Sequence, residues 1–262
     1  MKSIRVHSMK SYIFAIATAV CCVVGAAQAA VTITGTRVIY PAQSREVSVR
    51  INNSADQPAL VQAWLDEGDV SAAPNKIKVP FALLPSVFRV EPRRGQAMRI
   101  MFTGGDMPMD RESVYWLNVL EIPPKPKVVD GRNMIQFAFR TRIKMFYRPA
   151  SLQSDPTAAR DRLKWHVTSN DGGERVLRLE NPSPYYVSFG KVELNDGGGK
   201  VVALKPDMAP PFGYVDFVPQ AGRLDVESAA SVSYTVLNDF GAEVSDSAQM
   251  GRAGTVDEKG NQ

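Results

Sequence analysis

Cysteine is almost missing from this 262-residue chain, which holds only Cys21 and Cys22. Both fall in the first 29 residues, which read as a removable leader, so the mature domains carry no thiol. Cysteine nucleophiles, thiolate metal sites and stabilising disulfides are excluded together, and the fold must be held by its own core. Histidine is nearly as scarce. Past the leader only His166 remains, in the strand-like LKWHV, where a lone histidine is far more often structural than catalytic. Any triad would have to be built on it, and no G-x-S-x-G surrounds a serine. Helical periodicity is sparse too, and no later apolar run approaches the ~20 residues of a membrane-spanning helix. Net charge is also low. Three of the 31 Lys+Arg leave with the leader, so 28 face 27 Asp+Glu, and bulk attraction to nucleic acid is unsupported. No enzyme, cofactor or metal is implied.

The leader has the three parts of a secretory signal: basic Lys2, Arg5 and Lys10, an apolar stretch from Tyr12 to Gly25, and Ala27-Gln28-Ala29. Cleavage after Ala29 gives an exported, soluble chain of about 233 residues, one large or two ordinary domains. Ala19-Val20 before Cys21 does not suit lipidation.

Short alternating runs fill the rest: VTITGTRVIY (31–40), REVSVRI (45–51), ALVQAWL (59–65), AMRIMF (97–102) and SVYWLNVLEI (113–122). Polar or proline-bounded stretches separate them, including 52–58, 74–92 and 123–132. After a weaker patterned segment at 150–161 the runs resume at 163–169, 175–181, 185–194, 201–204, 214–219 and 231–237. Strands of this length and spacing predict antiparallel sandwiches. The divisions are a signal peptide (1–29), a first β domain (30–149), a second (150–248) and a polar tail (249–262). The glycine stretches at 171–173 and 195–199 read as hairpin turns. A phosphate loop would need a helix where Val201 begins a strand.

The stretch NMIQFAFRTRIKMFYRP (133–149) is unusual. Ile135, Phe137 and Phe139 alternate like one strand face, and Arg140, Arg142, Lys144 and Arg148 follow. Alternation alone makes the first three core residues and the cations a solvated face. Trp64 reads as a core tryptophan.

Residues 107–124, MPMDRESVYWLNVLEIPP, change that reading. Asp110-Arg111-Glu112-Ser113, Trp116, Asn118 and the closing Ile122-Pro123-Pro124 resemble the signature segment of periplasmic chaperones of chaperone–usher pilus assembly. TRVIYP (36–41), RTRIKMFYRPA (140–150), NPSPYYV (181–187) and LNDFG (237–241) resemble the same family in the same order, covering nearly the whole mature chain. The connection Lys125–Arg132 is short, like that of the short-loop branch.

The resemblance implies an all-β protein of two immunoglobulin-like β-sandwich domains in a boomerang arrangement with a cleft between them. It implies a periplasmic, non-enzymatic chaperone that binds pilus subunits by lending a β-strand and delivers them to an outer-membrane usher. Chaperone–pilin pairs are themselves a known instance of strand addition. The donor positions are Asn133, Ile135, Phe137 and Phe139. Arg37 and Lys144 would grip the subunit's C-terminal carboxylate, and Glu112, Arg148 and Asp239 would form interdomain ion pairs. Tyr185 and Tyr186 read as packing or cleft-shaping residues rather than chemistry. Strict alternation puts Lys144 on the face opposite the donor trio, so a bulge, a strong twist or a change of direction is expected near Thr141-Arg142. Weak self-association through the exposed strand stays open; nucleic acid and membrane insertion are not implied. The rival readings are an exported pilus subunit or adhesin, and a hydrolase built on His166.

Overall fold

The computed structural model describes residues 31–122, 137–152, 155–196, 198–224 and 231–250. The leader, the connection 125–132, Asn133, Ile135 and residues 251–262 of the tail lie outside the described residues. The described chain is two immunoglobulin-like sandwiches in succession.

The first sandwich is built from β1 (Val31–Ile33), β2 (Arg37–Pro41), β3 (Glu46–Asn53), β4 (Ala59–Asp66), β5 (Phe81–Leu84), β6 (Val87–Val90), β7 (Gly95–Phe102), β8 (Ser113–Ile122) and β9 (Phe139–Arg148). One sheet runs β1-β3-β7-β5 and the other β2-β9-β8-β4-β6. Alternate residues meet between them: Val49 and Ile51, Met98 and Ile100, Val61, Ala63 and Leu65, Tyr115 and Leu117, and Ile143 and Met145. Five rings, of Tyr40, Phe81, Phe102, Tyr115 and Tyr147, pack at one end with centroids 4.8–5.9 Å apart. The buried Tyr40 hydroxyl donates to Arg45 O at 3.1 Å and accepts from Phe102 N at 3.0 Å, so its polar end is satisfied.

The second sandwich comprises β10 (Lys164–Ser169), β11 (Arg175–Asn181), β12 (Val187–Asn195), β13 (Val201–Leu204), β14 (Met208–Ala209), β15 (Gly213–Phe217), β16 (Ser231–Leu237) and β17 (Glu243–Gln249). Its sheets run β10-β11-β15 and β13-β12-β16-β17, with β14 beside β12. Trp165, Phe189, Phe217 and Tyr234 interlock at 5.1–5.7 Å over Leu177, Leu179 and Leu194. At both predicted turns an Asn or Asp side chain closes the hairpin. Asn170 Oδ1 accepts from Gly172 N and Glu174 N, and Asp196 Oδ1 from Gly198 N and Lys200 N.

Four elements depart from the sequence pattern. The run 31–40 is two strands. At Gly35, with φ 95°, the chain leaves the sheet of β3 and enters the other sheet, where β2 lies parallel to β9. The segment 74–92 holds β5 and β6, which Pro80, Pro85 and Pro92 bracket without interrupting. Both are edge strands, where proline nearby costs least. β17 has no apolar alternation, and seven residues of pairing with β16 form it. The weak segment after Pro149 contains a short 3-10 helix, Pro156–Arg162, capped by Asp155 accepting from Thr157 N at 2.8 Å.

Burial separates the phenylalanines. Phe217 is fully buried, whereas Phe137 is 69% exposed. Phe217→Ala should lower unfolding stability by about 3–5 kcal/mol. Phe137→Ser should change it by less than about 0.5 kcal/mol, both measured by urea unfolding.

Candidate functional site

β9 lies between two strands, but unequally. β8 pairs with it antiparallel from Phe139 to Tyr147, while β2 pairs with it only from Lys144 to Arg148. From Phe139 to Ile143, β9 therefore has a described neighbour on one side alone. Among the described residues no strand pairs with the other edge there, and an unpaired edge is a template for another strand. Along the core-facing side burial fades upstream. Tyr147, Met145 and Ile143 are buried, and Phe139 is 43% exposed. Phe139 and Phe137 thus extend the core stripe past the place where their own domain covers it.

No bulge interrupts the strand near Thr141-Arg142. The register runs unbroken from Glu121↔Phe139 to Ser113↔Tyr147. A regular strand puts Lys144 on the opposite face from the phenylalanines, and the two groups simply use the two faces of one strand.

On that outer face, Asp66, Trp116, Lys144 and Arg37 form one register row across β4, β8, β9 and β2. The neighbouring cations are already engaged. Arg142 pairs with Asp66 and stacks on Trp116, its Cζ 4.1 Å from the ring centroid. Arg140 donates to Asn118 Oδ1 at 2.7 and 3.0 Å and to Val70 O at 2.8 Å, and it lies over Trp64 at 4.8 Å. Asp66 is 1% exposed. Burial pushes its carboxyl up, but Arg142, Asn118 and the Gly68 amide outweigh this and hold it below the usual carboxylate range. Trp64 is therefore no core residue. It shares the outer face with Asp66, opposite Ala63 and Leu65, and Arg140 covers it.

Lys144 differs. Among the described residues no carboxylate lies within ion-pair distance of it, and its Nζ stands 5.4 Å from the Trp116 ring. Burial pushes its ammonium below the ordinary lysine value, the Arg37 guanidinium adds to that, and the more distant Asp207 pulls only weakly the other way. Burial likewise pushes Arg37 down, with Asp239 and Glu112 pulling it back. Arg37 Nη1 donates to Leu237 O at 2.9 Å, while its buried Nε has no partner among the described residues.

Arg148 joins the two sandwiches. Its Nε donates to Glu112 Oε1 at 2.7 Å, and its terminal nitrogens donate to both Asp239 oxygens at 2.7 and 2.9 Å. Both carboxylates favour its charged form and outweigh burial, which alone would lower its pKa. Burial pushes the Glu112 carboxyl up, against the pull of Arg148 and of Tyr186 N, which donates to Oε2 at 2.9 Å. Glu112 N donates to Pro184 O at 2.9 Å. Asp239 sits in the β16–β17 turn, where Gly241 has φ 80° and a Cβ would collide with the Thr36 hydroxyl. Between these residues lies a cavity of about 220 Å³ lined by Arg37, Phe146, Arg148, Tyr185, Tyr186 and Phe240. Phe146 and Tyr186 meet across the domain boundary at 5.7 Å. His166 lies elsewhere, on β10, with Glu180 at 4.0 Å.

Residues 30–153 match the family described as "Pili and flagellar-assembly chaperone, PapD N-terminal domain", and residues 158–248 match "Pili assembly chaperone PapD, C-terminal domain". This chain belongs to the pilus-assembly chaperone family. Among its relatives is the "Probable fimbrial chaperone YadV" of Escherichia coli K12, 42% identical over 224 residues, 84% of this chain and 89% of YadV. The crystal structure of the Pseudomonas aeruginosa CupB2 chaperone matches with TM-score 0.70 and 38% identity, covering 84% of this chain and all of that one. A chain of the Salmonella enterica SafA pilin–SafB chaperone complex matches with TM-score 0.71 and 27% identity, covering 86% of this chain and 99% of that one. The family is non-enzymatic, which sets aside the hydrolase reading.

Sequence reading of this chaperone missed Asp66 and its ladder of Asn118, Arg140 and Arg142. The signal was present: even-numbered Trp64 and Asp66 alternate out of phase with Val61, Ala63 and Leu65.

Two outcomes follow from these environments. A lysine whose folded pKa is depressed binds its proton more weakly in the folded chain than in the unfolded one. The cost of its charge is then full at neutral pH, and stability rises as pH climbs from the folded pKa toward the ordinary value near ~10.4. Lys144→Met should therefore raise the urea midpoint at pH 7, by an amount that shrinks as pH approaches 10. Gly241→Ala should cost at least about 1–2 kcal/mol for its left-handed backbone and speed amide exchange across 238–242.

Proposed function

We propose that this protein is a periplasmic chaperone for pilus subunits. It lends the segment entering β9 to a subunit's incomplete sheet and later passes the subunit to an outer-membrane usher. The observation that carries this reading is the half-paired β9, with exposed Phe137 and Phe139 at its start and, further along, Lys144, which has no ion-pair partner among the described residues and lies beside Arg37. A partner strand would satisfy the open edge, and Phe137 and Phe139, with Ile135 upstream, would enter the partner's core. Each fully buried side chain contributes roughly 1.5–3 kcal/mol before ordering costs. Asn133 and Ile135 complete the proposed donor stretch.

Arg37 and Lys144 are register partners on adjacent parallel strands, so a subunit's terminal carboxylate can accept from both at once. The unpartnered Arg37 Nε supplies one of those donors. Anchoring the end fixes which subunit pocket each apolar residue meets, because a slip of one residue presents the wrong face. Arg148, Glu112 and Asp239 hold the angle between the domains. No ATP enters this scheme. The SafA–SafB complex, a pilin held by a chaperone of the same architecture, supports it, and no helix among the described residues is long and apolar enough to cross a membrane.

The test is co-expression with a pilus subunit and recovery of the complex from the periplasm. Arg37→Ala and Lys144→Ala should each stay folded yet weaken subunit binding about 10- to 100-fold, the loss of one charge-assisted hydrogen bond. Normal recovery with both variants would defeat the carboxylate anchor.

A further inference from the structure

The row Asp66–Trp116–Lys144–Arg37 places an indole between a buried carboxylate and an ammonium that has no ion-pair partner among the described residues. Strands lie about 4.8 Å apart, so Asp66 and Lys144 stand roughly 10 Å apart at the backbone, with Trp116 on the strand between them. A flexible lysine spans most of that gap and seeks an anion when one is near. The ring prevents this while offering its face: Arg142 Cζ lies 4.1 Å and Lys144 Nζ 5.4 Å from the Trp116 centroid. The indole itself is fixed. Asp66 Oδ1 accepts from Gly68 N at 2.7 Å, and Gly68, at φ 120°, brings the turn against the indole, where a Cβ would stand 3.7 Å from Nε1.

From this we infer that Trp116 is a positioning residue for subunit capture: it holds the Lys144 ammonium toward Arg37 and away from Asp66, leaving it free to take a carboxylate. Arg142 meanwhile satisfies Asp66, so the acid exerts little pull on the lysine. The inference rests on the carboxylate-anchor reading of Arg37 and Lys144. Plain packing explains a tryptophan at this position but not its contact with two cations, of which only Arg142 has a carboxylate within ion-pair distance among the described residues.

The test uses the mature chain and a synthetic peptide of alternating valine and threonine, prepared as the free acid and as the C-terminal amide. Calorimetry should show the wild type preferring the acid by about tenfold. Trp116→Ala should cut the acid preference to that of Lys144→Ala while leaving amide binding unchanged, and Trp116→Phe should keep most of the preference. With Lys144→Ala already present, Trp116→Ala should remove nothing more. Carbon-13-labelled lysine gives a ligand-free readout: the Lys144 ε-methylene signals should be shifted upfield by the ring, and Trp116→Ala should abolish the shift. If Trp116→Ala does not fold, Trp116→Leu carries the same test, keeping bulk without the aromatic face. An unchanged acid preference in the folded variants, or no ring shift in the wild type, overturns the inference and leaves the anchor reading standing. A wild type that binds acid and amide equally overturns the anchor and this inference with it.

Discussion

The division of the first strand between two sheets is the constraint on which the rest depends. β1 belongs with β3 and β2 with β9, and the change of sheet at Gly35 leaves β9 without a described neighbour from Phe139 to Ile143. Had 31–40 continued as one strand beside β9, the edge would be closed and the upstream phenylalanines would have less reason to remain uncovered. An open edge beside exposed apolar residues is an aggregation hazard that soluble proteins normally blunt. Its retention accords with the strand-lending function proposed above, and the change of sheet at Gly35, with φ 95°, leaves it open.

Electrostatics divides the same strand into residues that stabilise the fold and residues held against its preference. Arg140, Arg142 and Arg148 each have acceptors close by, and they tie β4, β8 and the second domain to β9. Lys144 and Arg37 sit partly buried with their charges disfavoured. Natural chains keep such residues where activity needs them, at some loss of stability.

Much of this was legible in the sequence. Period-two alternation marked most of the strands, and the stretch around Glu112-Ser113, Trp116 and Asn118 pointed to the family. What escaped did so for physical reasons. β5 and β6 hid behind prolines that bracket rather than break them. β17 is an edge strand with few apolar residues, formed by pairing rather than by pattern. Trp64 reads as core within the apolar run ALVQAWL, although its parity matches Asp66. Thr141-Arg142 was expected to bend because one strand was asked to present two functions on one face, when two faces suffice. Nothing local distinguishes Lys144 from Arg140 and Arg142, since their carboxylate comes from Asp66, 76 positions before Arg142.

The pairing of Arg37 with Lys144 across parallel strands has a consequence for quality control. Sliding β2 by one position along β9 would rotate Val38 outward and turn the guanidinium into the hydrocarbon interior; sliding by two would separate the cations by roughly 7 Å. Only a correctly threaded first domain sets Arg37 beside Lys144 on the outer face, so under the proposed carboxylate anchor a chaperone that has itself misfolded has no grip to offer a client.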